Sequence, residues 1–116
     1  MIRISHQELV ERWAQTYVDD GFQVCAEGVV GSTAPAEING ARPDIQATSD
    51  GHSIFAQIID SPEDFADPDV RNTTQRLAEA RGNAHALHLI VAAECMLELG
   101  TKLAEWNVEP DLVHVT

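Results

Sequence analysis

Lysine is nearly missing from this sequence. Lys102 is the only one in 116 residues, and with six arginines it faces nineteen carboxylates, leaving a net charge of -12. Nucleic acid is normally held by neutralising phosphates with Lys and Arg, so a chain this acidic repels a polyanion unless its arginines gather on one face. The balance argues against nucleic acid as a partner. It fits a soluble acidic surface, or a surface that meets a basic protein. Cysteine is scarce too. Cys25 and Cys95 stand too far apart in sequence to form a metal knuckle, and they read as buried thiols of a cytoplasmic protein. The longest apolar stretches, such as 87–93, fall far short of the roughly 20 residues a bilayer requires. The opening Met1-Ile-Arg-Ile-Ser-His-Gln-Glu has no basic region followed by an apolar one, so secretion is not expected. There is no repeat, linker or low-complexity tract, and a hydrophobic fraction of 44% is ordinary for a globular chain. A single domain over 1–116 follows.

What is present reads as helix and strand with clear punctuation. Ser5-His-Gln-Glu8 is a capping box. It opens a helix in which Leu9, Val10, Trp13, Ala14, Tyr17 and Val18 recur at helical spacing. Asp20-Gly21 stops that helix, glycine suiting a left-handed cap. Residues 22–27 alternate as a strand, and 28–40 form a loop rich in Gly, Ser and Ala. Two further strands, 42–48 and 53–59, flank Ser49-Asp-Gly-His52. Asp-Gly between β-rich runs marks a hairpin, because glycine takes positive φ cheaply. After an acidic loop at 61–67, Asp67 and Pro68 start a second helix, Asp67 as N-cap and Pro68 where its missing N–H costs nothing. That helix is expected to run to Arg81, with Gly82 closing it. Residues 85–92 make an apolar strand, 94–106 a third helix and 111–115 a last strand. The order α-β-β-β-α-β-α-β predicts an α/β fold: a mixed sheet, antiparallel meander first, with helices on both faces.

The hairpin carries the chemistry. Arg42-Pro43-Asp44-Ile45 precedes it, following a first helix with Glu8 and Glu11, then Gly21-Phe-Gln-Val24 and Gly31-Ser32. In this order the features resemble the PD-(D/E)XK nuclease superfamily, and within it the small archaeal Holliday-junction resolvases. The first half of the chain matches in detail and the second half in element order. The resemblance implies a restriction-endonuclease-like core. In that family an Asp on one strand and an acid on the next hold Mg²⁺, which favours hard oxygen ligands, and a lysine two residues on orients the attacking water. Side chains at i and i+2 share a strand face, which explains the spacing. Here Asp44 falls on the first acid, Gln57 on the second and Ile59 on the lysine, with Glu8 as the first-helix candidate. Gln57 keeps a coordinating oxygen but loses the charge. Ile59 offers neither proton nor charge. A register shifted by one brings in Ala56 and Ile58, which is no better. Arg71 and Arg76 on the next helix are poor proton donors. The motif is degenerate.

Each of these residues also has a structural reading. Asp44 can hold the turn after Pro43 or pair with Arg42. Gln57 is the one polar residue among Ile54, Phe55, Ala56, Ile58 and Ile59, so it requires a buried partner: Asp44, Glu8 or a backbone group. Asp60 is expected to begin the loop. Gln75 reads as an exposed helix glutamine, and Phe65 as tucked beneath its acidic loop rather than presented to a partner. His85 and His88, three apart on a strand, face opposite ways and cannot share a metal. His6, His52 and His114 are scattered. Gly28-Val-Val-Gly31-Ser-Thr lacks the lysine and the following helix of a phosphate loop.

The expected function is therefore a catalytically inactive nuclease-fold protein acting as a binding or regulatory module. It would need no cofactor and would work through a protein partner or self-association. One alternative is a divergent Mg²⁺-dependent nuclease in which Asp44, Gln57 and a first-helix glutamate hold the metal. The other is a small acidic interaction domain, homodimeric in one form.

Overall fold

The computed structural model describes residues 5–29, 31–82 and 84–116. The reading of residues 1–4 as carrying no leader, and Val30 of the glycine-rich loop, lie outside the described residues. Helix α1 spans His6–Asp19. Ser5 caps it, its hydroxyl accepting from the Glu8 amide at 3.1 Å, and Gly21 turns the chain away at φ 96°. Strand β1 follows at Gln23–Ala26, then β2 at Ile45–Ser49 and β3 at His52–Ile59. Asp50 and Gly51 between them both have positive φ, 49° and 82°. That pair makes a two-residue turn whose twist matches the strands it joins. β2 begins three residues later than the sequence suggests, since Pro43 has no N–H to give a ladder.

The acidic loop contains a 3-10 turn, Pro62–Ala66, which buries Phe65 against Trp106 at a ring separation of 6.0 Å. An interaction surface built on an exposed Phe65 is thereby excluded. Helix α2, Pro68–Glu79, starts as expected, with the Asp67 carboxylate accepting from the Asp69 amide at 2.9 Å. It stops two residues short of Arg81, a difference within the fraying of helix ends. Gly82 instead bridges to His85. Strand β4 is His85–Val91, a 3-10 turn at Ala93–Cys95 leads into α3, Met96–Trp106, and β5 closes the chain at Leu112–Val115.

The five strands lie in the order β1-β2-β3-β4-β5. β1, β2 and β3 pair antiparallel, while β3–β4 and β4–β5 are parallel. The mixed α/β sheet with helices on both faces is as the element order predicts. Strand alternation divides the core. Ile45, Ala47, Ala56, Ile58 and Ile90 meet Leu9, Val10, Ala14 and Tyr17 of α1 on one face. Phe55, Ile59, Leu87, Leu89 and Val91 meet Phe65, Leu77, Leu99 and Trp106 on the other. Cys95 is buried and Cys25 partly so, and neither forms a disulfide. Among the described residues no helix is long and apolar enough to cross a membrane.

Candidate functional site

Asp44 sits one residue before β2, at the point where the antiparallel ladder with β3 ends at Ile45 opposite Ala56. The chain has already turned away at Pro43, so the next backbone rung is missing. The Asp44 side chain replaces it: Oδ2 accepts from the Ile58 amide at 2.9 Å. Its backbone carbonyl accepts from the Glu27 amide at 3.2 Å, which extends the pairing with β1. A carboxylate accepting a backbone N–H at a strand end satisfies a donor that would otherwise go unpaired. Asp44 thus carries a structural contact to Ile58, which neither the turn after Pro43 nor a pairing with Arg42 anticipates.

The other carboxylate oxygen meets His6, the first residue of α1. His6 Nε2 stands 3.3 Å from Asp44 Oδ1, and His6 Nδ1 stands 3.2 Å from Asp60 Oδ2. Both ring nitrogens thus face a carboxylate. A neutral imidazole has one N–H and would turn a lone pair toward one of the two anions, whereas the imidazolium donates to both. The His6 pKa is accordingly pushed up to about 9, mainly by the hydrogen bond to Asp44 against the opposing cost of burial, and further by the charges of Asp44 and Asp60. This occurs at a helix N-terminus, which disfavours a cation, so the two carboxylates overcome the helix dipole as well. Asp64 completes the corner. It accepts from the Asp60 amide at 3.0 Å. Burial raises its pKa, helped by its hydrogen bond to the Asp60 side chain and the neighbouring negative charge, and opposed by the two backbone amides it accepts from.

On the opposite face of β3 the chemistry disappears. Gln57 points with Phe55 and Ile59 toward α2 and α3, only 7% exposed, and Ile59 is 0% exposed. The Gln57 Oε1 atom is buried and meets no hydrogen-bond donor among the described residues. Gln57 is expected to need a buried partner, and for its oxygen the described residues supply none. The carboxylate of Asp44 turns to the Ile58 amide and to α1, while Gln57 enters the packed interior. Glu8 is exposed, and its neighbour His6 takes the place beside Asp44. Asp44, Gln57, Ile59 and Glu8 are thus close in the chain's architecture without forming one oxygen-lined site. The described residues hold no group of three or more His, Cys, Asp or Glu side chains arranged for a metal ion.

Other candidates have structural duties. Gln75 is partly buried and donates from Nε2 to the Trp106 carbonyl at 3.0 Å, holding the end of α3. Arg81 donates to both carboxylate oxygens of Asp111 and to the Glu109 carbonyl. The fuller surprise is histidine. His6 and Asp60 lie 54 residues apart, and only the closure of α1 over the end of β3 unites them. His88 and His114, which the sequence leaves apart, meet across β4 and β5 with ring centroids 5.3 Å apart.

Fold and site together define a small α/β domain with an ionic corner where the β2–β3 hairpin ends. No protein-family model, curated protein or solved structure matches the chain.

Proposed function

We propose that this domain is a catalytically inactive member of the nuclease-like α/β class that works by binding, through a protein partner or a second copy of itself. One observation carries the reading: both oxygens of the Asp44 carboxylate are engaged, one by the Ile58 amide and one by the His6 ring. The Ile58 amide fixes the direction of this carboxylate, and the His6 imidazolium beside it already offsets its charge, which disfavours a second cation there. The positions of the second acid and the lysine add to this. A buried amide and a fully buried isoleucine supply no water, no proton and no cation to a phosphate. The binding half of the reading draws on β5, an edge strand of the sheet that leaves Leu112 at 46% and Val115 at 54% exposure. A net charge of -12 with a single lysine speaks against a nucleic-acid partner.

The test is cleavage of branched, duplex and single-stranded DNA with Mg²⁺ or Mn²⁺. No cleavage is expected. Cleavage that is lost in Asp44→Ala would overturn the reading in favour of a divergent nuclease. Light scattering then separates self-association from a foreign partner.

A further inference from the structure

Under the far end of α1 lies a second polar cluster, independent of the Asp44 corner and of the nuclease-like reading. The parallel pairing of β4 with β5 sets Ile90 beside His114 and His88 beside Leu112. His88 and His114 therefore share the sheet face that α1 covers. His88 Nδ1 stands 3.4 Å from His114 Nε2 and 3.0 Å from the Tyr17 hydroxyl. Trp13 lies against the His114 ring, centroids 4.7 Å apart, and holds it in place.

Three polar atoms here converge on one point. A neutral imidazole has one N–H and one lone pair, and a phenol has one O–H. Burial lowers the pKa of both rings, and His114 lowers that of His88 further. Tyr17 stays a phenol, its pKa pushed up to about 12 by burial and by the charge of Asp20. That same Asp20 charge is felt at His114.

Facing imidazole lone pairs are what borderline divalent metals take. With Zn–N bonds of about 2.0–2.1 Å, two nitrogens on a tetrahedral ion stand about 3.3–3.4 Å apart. The observed spacing of 3.4 Å already has this value. We propose that His88 and His114 form a two-imidazole site for a borderline divalent cation, Zn²⁺ or Cu²⁺, with water completing the coordination. A bound ion ties β4 to β5 beneath α1 and draws on the negative charge of Asp20. Two protein ligands make the affinity micromolar rather than that of a closed structural site.

The experiment is calorimetric titration of the untagged full chain with ZnCl₂ and CuCl₂ near pH 7.5. One equivalent is expected to saturate in the micromolar range. His114→Gln and His88→Gln should each weaken binding at least tenfold, while His52→Gln leaves it unchanged. In the Cu²⁺ form, electron paramagnetic resonance should display coupling to two imidazole nitrogens, falling to one in His114→Gln. His114 is the less buried ring, so its variant decides the matter even if His88→Gln fails to fold. The proposal is overturned if neither ion saturates the protein below millimolar concentration. It is equally overturned if binding survives His114→Gln at full strength or vanishes in His52→Gln.

Discussion

Along the last three residues of β3 and the one beyond, the two faces of the strand differ sharply. Toward α1, the Ile58 amide is held by Asp44, and Asp60 just past the strand end meets the His6 ring in a half-exposed ionic corner. Toward α2 and α3, Gln57 and Ile59 are sealed among Phe55, Leu77 and Leu89. In a metal-dependent hairpin nuclease one face must gather the acids and the lysine together. Here the charges, Asp44 among them, have collected on one side, and Gln57 and Ile59 lie on the other.

That contrast can be attacked from both sides. Placing a lysine on the buried face, Ile59→Lys, should have the largest effect. An unpaired ammonium in a fully buried position should cost on the order of 3–5 kcal/mol or force local unfolding, read by urea denaturation. A variant that folds as stably as the parent would mean that this face is open after all. Next comes Asp44→Ala, which leaves the Ile58 amide unpaired and His6 with one carboxylate. A loss of about 2–3 kcal/mol is expected, with faster hydrogen exchange at Ile58.

Gln57→Met should act in the opposite direction. It removes a buried oxygen without a donor and keeps the length of the side chain, so stability should rise by about 1–2 kcal/mol. No gain would indicate that Gln57 has a partner in solution. The smallest effect belongs to His6→Gln, about 1 kcal/mol for an ion pair that remains partly in solvent. Its pH dependence is the informative part. The folded-state pKa is raised from 6.5 to about 9, so the imidazolium stabilises fully below pH 6.5 and ceases to do so as pH rises through about 9. The gap between parent and variant should be wide at pH 6 and closed near pH 10.

Much of the fold was legible because its signals are local. The Ser5 cap, the Asp67-Pro68 start and the Asp50-Gly51 turn each depend on neighbours in sequence, and each appears where expected. The alternation that puts Gln57 and Ile59 on one face was legible too. What escaped was non-local. Asp44 lies outside the regular strand, so strand parity does not govern its side chain, and nothing in the order of residues reveals that it substitutes for a missing rung. Likewise, His6 reaches Asp60, and His88 reaches His114, only through packing of α1 and the register of two parallel strands. The unpaired oxygen of Gln57 runs against the rule that buried polar groups find partners, the rule on which the expected partner rested.

The most direct test is an NMR titration of the His6 ring in the parent, in Asp44→Asn, and in the parent with millimolar Mg²⁺. A midpoint near 9 in the parent, lower in Asp44→Asn and unmoved by Mg²⁺, is the predicted result. A parent midpoint near the ordinary 6.5, or one that Mg²⁺ pulls down, would mean that the Asp44 carboxylate is free to hold a metal.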